Sequence, residues 1–147
     1  AHAFRHNDLA ALETLLETHR DAHKNTLIVV EGLYSMDGDF PDLARLVELK
    51  KRFGAWLMVD EAHALGVMGT NGRGIHEHYG VASTDVDIWM GTLSKTLGAC
   101  GGYICGTAAL IEILKYKAPG FVYSVGLSPP VTAAALAALQ ILQALDR

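Results

Sequence analysis

Residues 55–106 read AWLMVDEAHALGVMGTNGRGIHEHYGVASTDVDIWMGTLSKTLGACGGYICG, and two apolar runs inside this stretch decide the fold. Ala55 to Asp60 is short and continuously apolar up to its last residue, and Val86 to Met90 is short and apolar apart from Asp87. Such runs, bounded by turn residues, mark strands buried on both faces rather than half-exposed ones. Each run gives way abruptly to polar chemistry. The first ends in Asp60, with His63 just beyond; the second passes through Gly91 to Thr92 and Lys95, then enters a glycine-rich segment. In open parallel sheets, chemistry collects outside the carboxyl ends of the strands. A carboxylate, an imidazole and an amine after strand ends therefore predict a site.

The flanking sequence extends the same pattern. Asn7 or Asp8 can cap a helix whose Leu9, Leu12, Leu15 and Leu16 recur at helical spacing up to about His19. Thr26 to Glu31, TLIVVE, is another β-branched apolar run, followed by the turn-rich GLYSMDGDF that contains Ser35. Pro41 suits the first turn of a helix with Leu43, Leu46, Val47 and Leu49 on its inner face, and Gly54 suits its stop. A glycine-rich loop and a short helix at Ile75 to Tyr79 follow the second strand. Gly101 to Gly106 reads as a fourth strand, Thr107 to Lys117 as a helix, and Phe121 to Val125 as a short extended piece. An alanine-rich helix runs from Pro129 to about Asp146. Strands separated by helices predict parallel crossovers and a doubly wound α/β sheet.

Bulk properties narrow the function. The chain has 147 residues, half of them hydrophobic, with a formal charge of −4 and a pI near 5.9. One domain with a substantial core is expected. A general nucleic-acid binder would need a basic face, which this balance does not provide. The longest helix-like apolar stretch, Val131 to Leu139, is far below the roughly 20 residues of a membrane span. Cys100 and Cys105 do not form a CxxC; they read as two buried thiols of a reducing, cytoplasmic setting, with no metal site.

Several motifs compete for attention. VDEAH follows an apolar strand, as the magnesium-holding segment of a helicase-type ATPase does. That machine also needs a Gly-x-x-x-x-Gly-Lys-Ser/Thr loop upstream, and none precedes Asp60. GTLSKT lies downstream and has Ser94 where glycine must stand. The HEH at His76 to His78 is not HExxH, and two histidines two apart point to different faces of a helix, so it reads as a surface turn. Gly66, Gly69, Gly72 and Gly74 make a tight loop rather than a phosphate cradle between strand and helix.

Lys95 differs from an ordinary surface lysine because it follows a buried strand and sits among small residues. A lysine in a pocket of low polarity loses its proton more easily and attacks carbonyl groups. Schiff-base cofactor chemistry needs such a lysine together with an acid for the cofactor's pyridinium nitrogen. Asp60 supplies the acid, and Thr92 offers a hydroxyl for a phosphate.

At this point the chain resembles the α-oxoamine synthase family, fold-type I pyridoxal-phosphate enzymes. The matching stretches are FRHNDLAALE, EGLYSMDGDFPDL, WLMVDEAHALGVMGTNGRG, DIWMGTLSKTLGACGGYICG and FVYSVGLSPP, in the family's order across nearly the whole chain. The resemblance implies a three-layer α/β fold, a mostly parallel sheet with helices on both faces, of which residues 1–147 form part of the large, cofactor-binding domain. It implies that Lys95 carries pyridoxal 5'-phosphate as a Schiff base and later acts as general base. Asp60 would bond the ring nitrogen, His63 the phenolic oxygen, and Thr92 the phosphate. Ser35 would lie near the ring, and Ser124 would reach the phosphate of a partner subunit in an obligate homodimer.

The implied reaction condenses an amino acid with an acyl-CoA or acyl-carrier-protein thioester, usually with loss of carbon dioxide. The family's ring-stacking histidine and phosphate loop are expected before Ala1, and its substrate-binding arginine after Arg147, so a fragment inactive on its own is expected. FVYSVGLSPP has one residue more before its proline pair than the shorter form, and Ser94 stands where several branches have glycine, which leaves the branch open. The alternatives are another fold-type I enzyme, such as an aminotransferase or lyase, and a non-catalytic dimerisation domain that keeps the fold.

Overall fold

The computed structural model describes residues 1–144. Its centre is a sheet of four strands in the order β1-β2-β3-β4: β1 Leu27–Glu31, β2 Trp56–Asp60, β3 Ile88–Thr92 and β4 Gly102–Gly106. β1, β2 and β3 are parallel, with Val30 opposite Val59 and Asp60 opposite Met90. β4 runs antiparallel to β3, pairing Thr92 with Gly102 and Ile88 with Gly106. The sheet is thus mostly parallel, as expected, with one reversed strand. The reversal follows from the connection: residues 93–101 are too few for a helical crossover, which takes about a dozen residues or more.

The helices are bounded by the chemistry their sequences predict. α1 (Leu9–His19) is capped by Asp8, whose side chain accepts the Ala11 amide at 2.8 Å. α2 (Leu43–Phe53) is capped by Asp42, which accepts the Arg45 amide at 3.0 Å, and it ends on Gly54 in the left-handed conformation. Pro41 therefore precedes the cap instead of opening the first turn, and it is fully buried there. α3 (Ile75–Tyr79) is short and contains HEH, with His76 tucked edge-on against Trp89, so the motif is a helix rather than a turn. α4 (Ala108–Lys117) starts at a Thr107 cap, and α6 (Pro129–Ala144) begins at the proline pair; its expected end near Asp146 lies outside the described residues. Between them, Pro119 starts a single helical turn, α5 (Pro119–Val122), where the sequence predicts an extended piece. Proline's fixed φ suits the first helical position, and this local preference wins over the apolar tone of Phe121 to Val125.

The core lies between the sheet and α2. Ile28, Val30, Leu57 and Val59 point inward and meet Leu43, Leu46 and Leu49, which are fully buried. Burying each such side chain stabilises the fold by roughly 1.5–3 kcal/mol relative to leaving it exposed. Leu12 and Leu16 of α1 and Ile75 of α3 complete this cluster. α4 approaches the opposite face, where Ile111 and Leu114 line a hollow with Met90 and Ile104. A second, smaller cluster joins Leu93 and Leu97 to Ala135 of α6.

Two expectations about burial do not hold. β1 and β2 bury one face only: Leu27, Val29 and Trp56 remain about half exposed, because no described helix covers them. Cys100 and Cys105 are free and exposed, not buried, since β4 is an edge strand and residues 98–101 form its exposed approach.

Candidate active site

The parallel strands bring their carboxyl ends to one edge of the sheet. Glu31 and Asp60 are register partners, and Asp60 is in turn opposite Met90, two residues before Thr92. The chain continues the pairing past the strands: Gly32 donates its amide to the Asp60 carbonyl at 2.8 Å, and Glu61 donates to the Met90 carbonyl at 2.7 Å. Strand alternation puts Asp60, Met90 and Thr92 on the same face. Asp60 Oδ1 accepts the Ala62 amide at 2.8 Å, which turns the chain toward His63. Among the described residues, no hydrogen bond occupies Asp60 Oδ2. His63, half-buried, has Nδ1 3.9 Å from Glu31 Oε2.

The lysine loop is fixed at both ends and open in the middle. Leu93 and Leu97 turn inward, so Ser94, Lys95 and Thr96 face outward. Lys95 is therefore exposed among the described residues, not enclosed in a pocket of low polarity, and its amine has no ion-pair partner there. Thr92 Oγ1 lies 2.7 Å from Ser94 Oγ, accepts the Ser94 amide at 3.2 Å, and donates to the Gly101 carbonyl at 3.1 Å. Its hydroxyl thus shapes the loop, while Ser94 presents a second, exposed hydroxyl beside Lys95. Thr96 donates to the Leu65 carbonyl at 2.7 Å, tying the lysine loop to the segment that follows Asp60 and His63.

That segment carries a residue that the motif reading passed over. Continuing the alternation of Leu57 and Val59, Glu61 points into the core side and is only 6 % exposed. Its Oε1 accepts the Ile75 amide at the start of α3 at 3.1 Å, and its Oε2 is buried with no hydrogen-bond partner. Burial pushes the Glu61 carboxyl up to about 7, against the Ile75 hydrogen bond, with the neighbouring Asp60 charge adding to the rise. Tyr103 of β4 is shifted upward too, first by burial and then by Cys105, Glu61 and Asp60. The signal in the sequence was the period of two across Leu57, Val59 and Glu61, which assigns an acid to the apolar face.

The glycine loop after Glu61 is held by another acid. Glu77 accepts the amides of Asn71 and Arg73 and the Asn71 side chain. These bonds keep the Glu77 carboxyl below its usual range, the Asn71 side chain contributing most.

The two remaining candidates lie apart from this group. Ser35 is exposed on the turn after β1, which is anchored by Asp39: His6 and Asn7 both hydrogen-bond its carboxylate, at 2.9 and 2.8 Å. Ser124 is exposed, and its Oγ accepts the Gly126 amide at 3.1 Å. Its segment nonetheless returns to the same end of the sheet, where Leu127 packs over Gly101. The structure thus brings Asp60, His63, Thr92 and Lys95 to one edge, and among the described residues no hydrogen bond joins Ser35 or Ser124 to them.

A family model described as aminotransferase class I and II matches residues 2–147. The chain belongs to the aminotransferase class I and II family. Within that family, it is 49% identical over 138 residues to 8-amino-7-oxononanoate synthase of Geobacter sulfurreducens, covering 94% of this chain and 35% of that protein. It is 48% identical over 143 residues to the same-named protein of Thermosipho melanesiensis, covering 97% and 36%. Among solved structures, Sphingomonas wittichii serine palmitoyltransferase superposes with a TM-score of 0.88 at 38% identity, covering 96% of this chain and 35% of that one. Francisella tularensis 8-amino-7-oxononanoate synthase superposes at 0.75 with 29% identity, covering 97% and 40%. The chain thus spans a little over a third of the length of the curated relatives it matches. The relatives and structures also support the α-oxoamine synthase resemblance and the fold-type I architecture.

Proposed function

We propose that this chain is part of the large domain of a pyridoxal-phosphate-dependent α-oxoamine synthase, which condenses an amino acid with an acyl thioester. The observation that carries the reading is the placement of Asp60 and the Lys95 loop at the same end of neighbouring parallel strands. The names of the relatives support the product class: an 8-amino-7-oxo compound bears an amine beside a ketone.

The donor set fits the cofactor. Asp60 keeps one carboxylate oxygen without a hydrogen bond among the described residues, which suits a protonated ring nitrogen. Lys95 offers an amine to the aldehyde carbon. Thr92 and Ser94 offer hydroxyls to the phosphate, and His63 an imidazole to the phenolic oxygen. When bound, the cofactor supplies an electron sink for the carbanion at the amino acid's Cα.

The chain's own residues then have separable tasks. Asp60 would accept a charge-assisted hydrogen bond from the ring nitrogen and hold the proton there. Lys95 Nζ would hold the cofactor through its aldehyde carbon and, when free, would take the substrate's Cα proton as general base. Thr96, bonded to Leu65, keeps the lysine loop in register with the Asp60 end. The acyl donor is an acyl-CoA or acyl-carrier-protein thioester, whose thiol leaves as the new carbon–carbon bond forms, and most α-oxoamine synthases then release the carboxylate as carbon dioxide. A homodimer, with Ser124 reaching the partner subunit's phosphate site, completes the reading. The protein is cytoplasmic in this reading; no helix among the described residues is long and apolar enough to cross a membrane.

The test is borohydride reduction of the intact protein in the presence of pyridoxal 5'-phosphate, followed by peptide mapping. The cofactor should become fixed to Lys95. Stoichiometric labelling elsewhere, or none, would overturn the reading.

A further inference from the structure

Glu61 is tied to β3, to the turn after β2 and to α3. Its amide bonds β3 through the Met90 carbonyl, and its own carbonyl accepts the Ala64 and Leu65 amides, closing the turn that contains His63. Its Oε1 holds the first amide of α3. The carboxyl is wedged between two glycines. A Cβ on Gly74, which has φ +97°, would overlap Oε2, and one on Gly32, just after β1, would lie 3.2 Å from Oε1. Two adjoining segments thus omit side chains where this carboxyl fits, and no hydrogen-bond partner meets its second oxygen.

An ionised carboxylate with an unpartnered buried oxygen is costly, whereas a protonated acid loses only one hydrogen bond. A second negative charge adjacent to Asp60 would also alter that group's field. Asp60 on the same strand and Tyr103 on β4 are the ionisable groups coupled to Glu61; His76 on α3 turns instead to Trp89.

We propose that Glu61 is a positioning residue for Asp60: an uncharged carboxyl, seated between Gly32 and Gly74 and hydrogen-bonded to Ile75, that fixes the strand end from which Asp60 reaches the cofactor ring. The inference rests on the cofactor reading above. Its mechanism is mechanical and electrostatic. The carboxyl ties the strand end that carries Asp60 to the first amide of α3, and its neutrality adds no further negative charge beside Asp60 from the core side.

The experiment compares Glu61→Gln, Glu61→Ala and the parent in the intact protein. Three readouts are taken: pyridoxal 5'-phosphate affinity by absorbance titration, the pH midpoint of the bound cofactor's visible band, and borohydride labelling of Lys95. Glutamine reproduces a neutral acid, with one acceptor oxygen and one donor end, so Glu61→Gln should stay within about twofold of the parent, roughly 0.4 kcal/mol. Glu61→Ala should bind at least about tenfold more weakly, near 1.4 kcal/mol, and its band midpoint should move because Asp60 is no longer held. Parent-like affinity and midpoint in Glu61→Ala would overturn the proposal. Glutamine failing as badly as alanine would overturn the uncharged role. If Glu61→Ala does not fold, Glu61→Asp, an acid too short to span from β2 to α3, decides by the same readouts: parent-like behaviour overturns the proposal. Absence of Lys95 labelling in the parent would instead strike the cofactor reading, and then loss of pH-dependent melting in cofactor-free Glu61→Gln still tests whether the acid is held uncharged.

Discussion

Glu61 Oε1 accepts the Ile75 amide at 3.1 Å, while the same side chain's Oε2 is buried without a hydrogen-bond partner. This geometry makes stability depend on pH in a definite direction. The folded carboxyl is raised to about 7 from an ordinary 4.5, so between those values the folded state keeps a proton that the unfolded chain releases. The contribution is fully present below about pH 4.5 and is lost as pH rises through about 7, with a size of about 3 kcal/mol. Thermal melting of the cofactor-free intact protein should show this decline, and Glu61→Gln should flatten it. An unchanged profile in the variant would place the pH dependence elsewhere.

Lys95→Ala separates chemistry from folding. Lys95 is exposed and has no ion-pair partner among the described residues, so its removal should change stability by no more than about 0.5 kcal/mol. Reduction with borohydride should no longer fix the cofactor, and turnover by the intact protein should fall to background. Circular dichroism and mass spectrometry check the two halves of this expectation.

Asp60→Asn isolates charge. Asparagine keeps an oxygen for the Ala62 amide, so the turn toward His63 should survive. Loss of the charge-assisted bond should weaken cofactor binding by about 10- to 100-fold, on the scale of 1.5–3 kcal/mol. Equilibrium absorbance titration measures it, and a melting temperature close to the parent's confirms that the turn is intact.

Gly66→Ala tests the tie between the two loops. Gly66 has φ +81°, and a Cβ there would collide with the Thr96 side chain, whose hydroxyl holds the Leu65 carbonyl. The substitution should cost at least about 1 kcal/mol from the backbone alone. It should also slow borohydride trapping at Lys95, one residue from Thr96. A destabilised protein that traps at the parental rate would show that the lysine loop is positioned without this contact.

Much of the fold was legible because the signals were local. Short apolar runs, β-branched in β1, placed β1 and β2 to within a residue or two, and capping acids and a glycine bounded α1 and α2. The direction of β4 was not, because strand composition has no sense of orientation; only the short 93–101 connection encoded it. The apolar neighbours of Cys105 predict burial, but burial depends on whether another strand lies beyond β4. At the candidate site, Asp60 and Lys95 stood out because polarity interrupts an apolar run. Glu61 did not, since DEAH draws attention to its acid-imidazole pair, and only alternation along β2 tells that the two acids face opposite sides. Ser35 and Ser124 rest on motif resemblance alone, as no hydrogen bond among the described residues joins either to the other four.

The antiparallel return of β4 also sorts the connections into two sets. Gly106 ends beside Ile88, at the edge far from Lys95, and α4 carries the chain back until Leu127 packs over Gly101. The connections at the far edge, 24–26, 54–55, 80–87 and 106–107, hold none of the residues proposed for chemistry. Of these, exposed Lys24 and Asn25 are the place to lengthen the chain, attach a fluorophore or open a circular permutant, because Ala55 is buried behind the Gly54 cap and Thr107 caps α4.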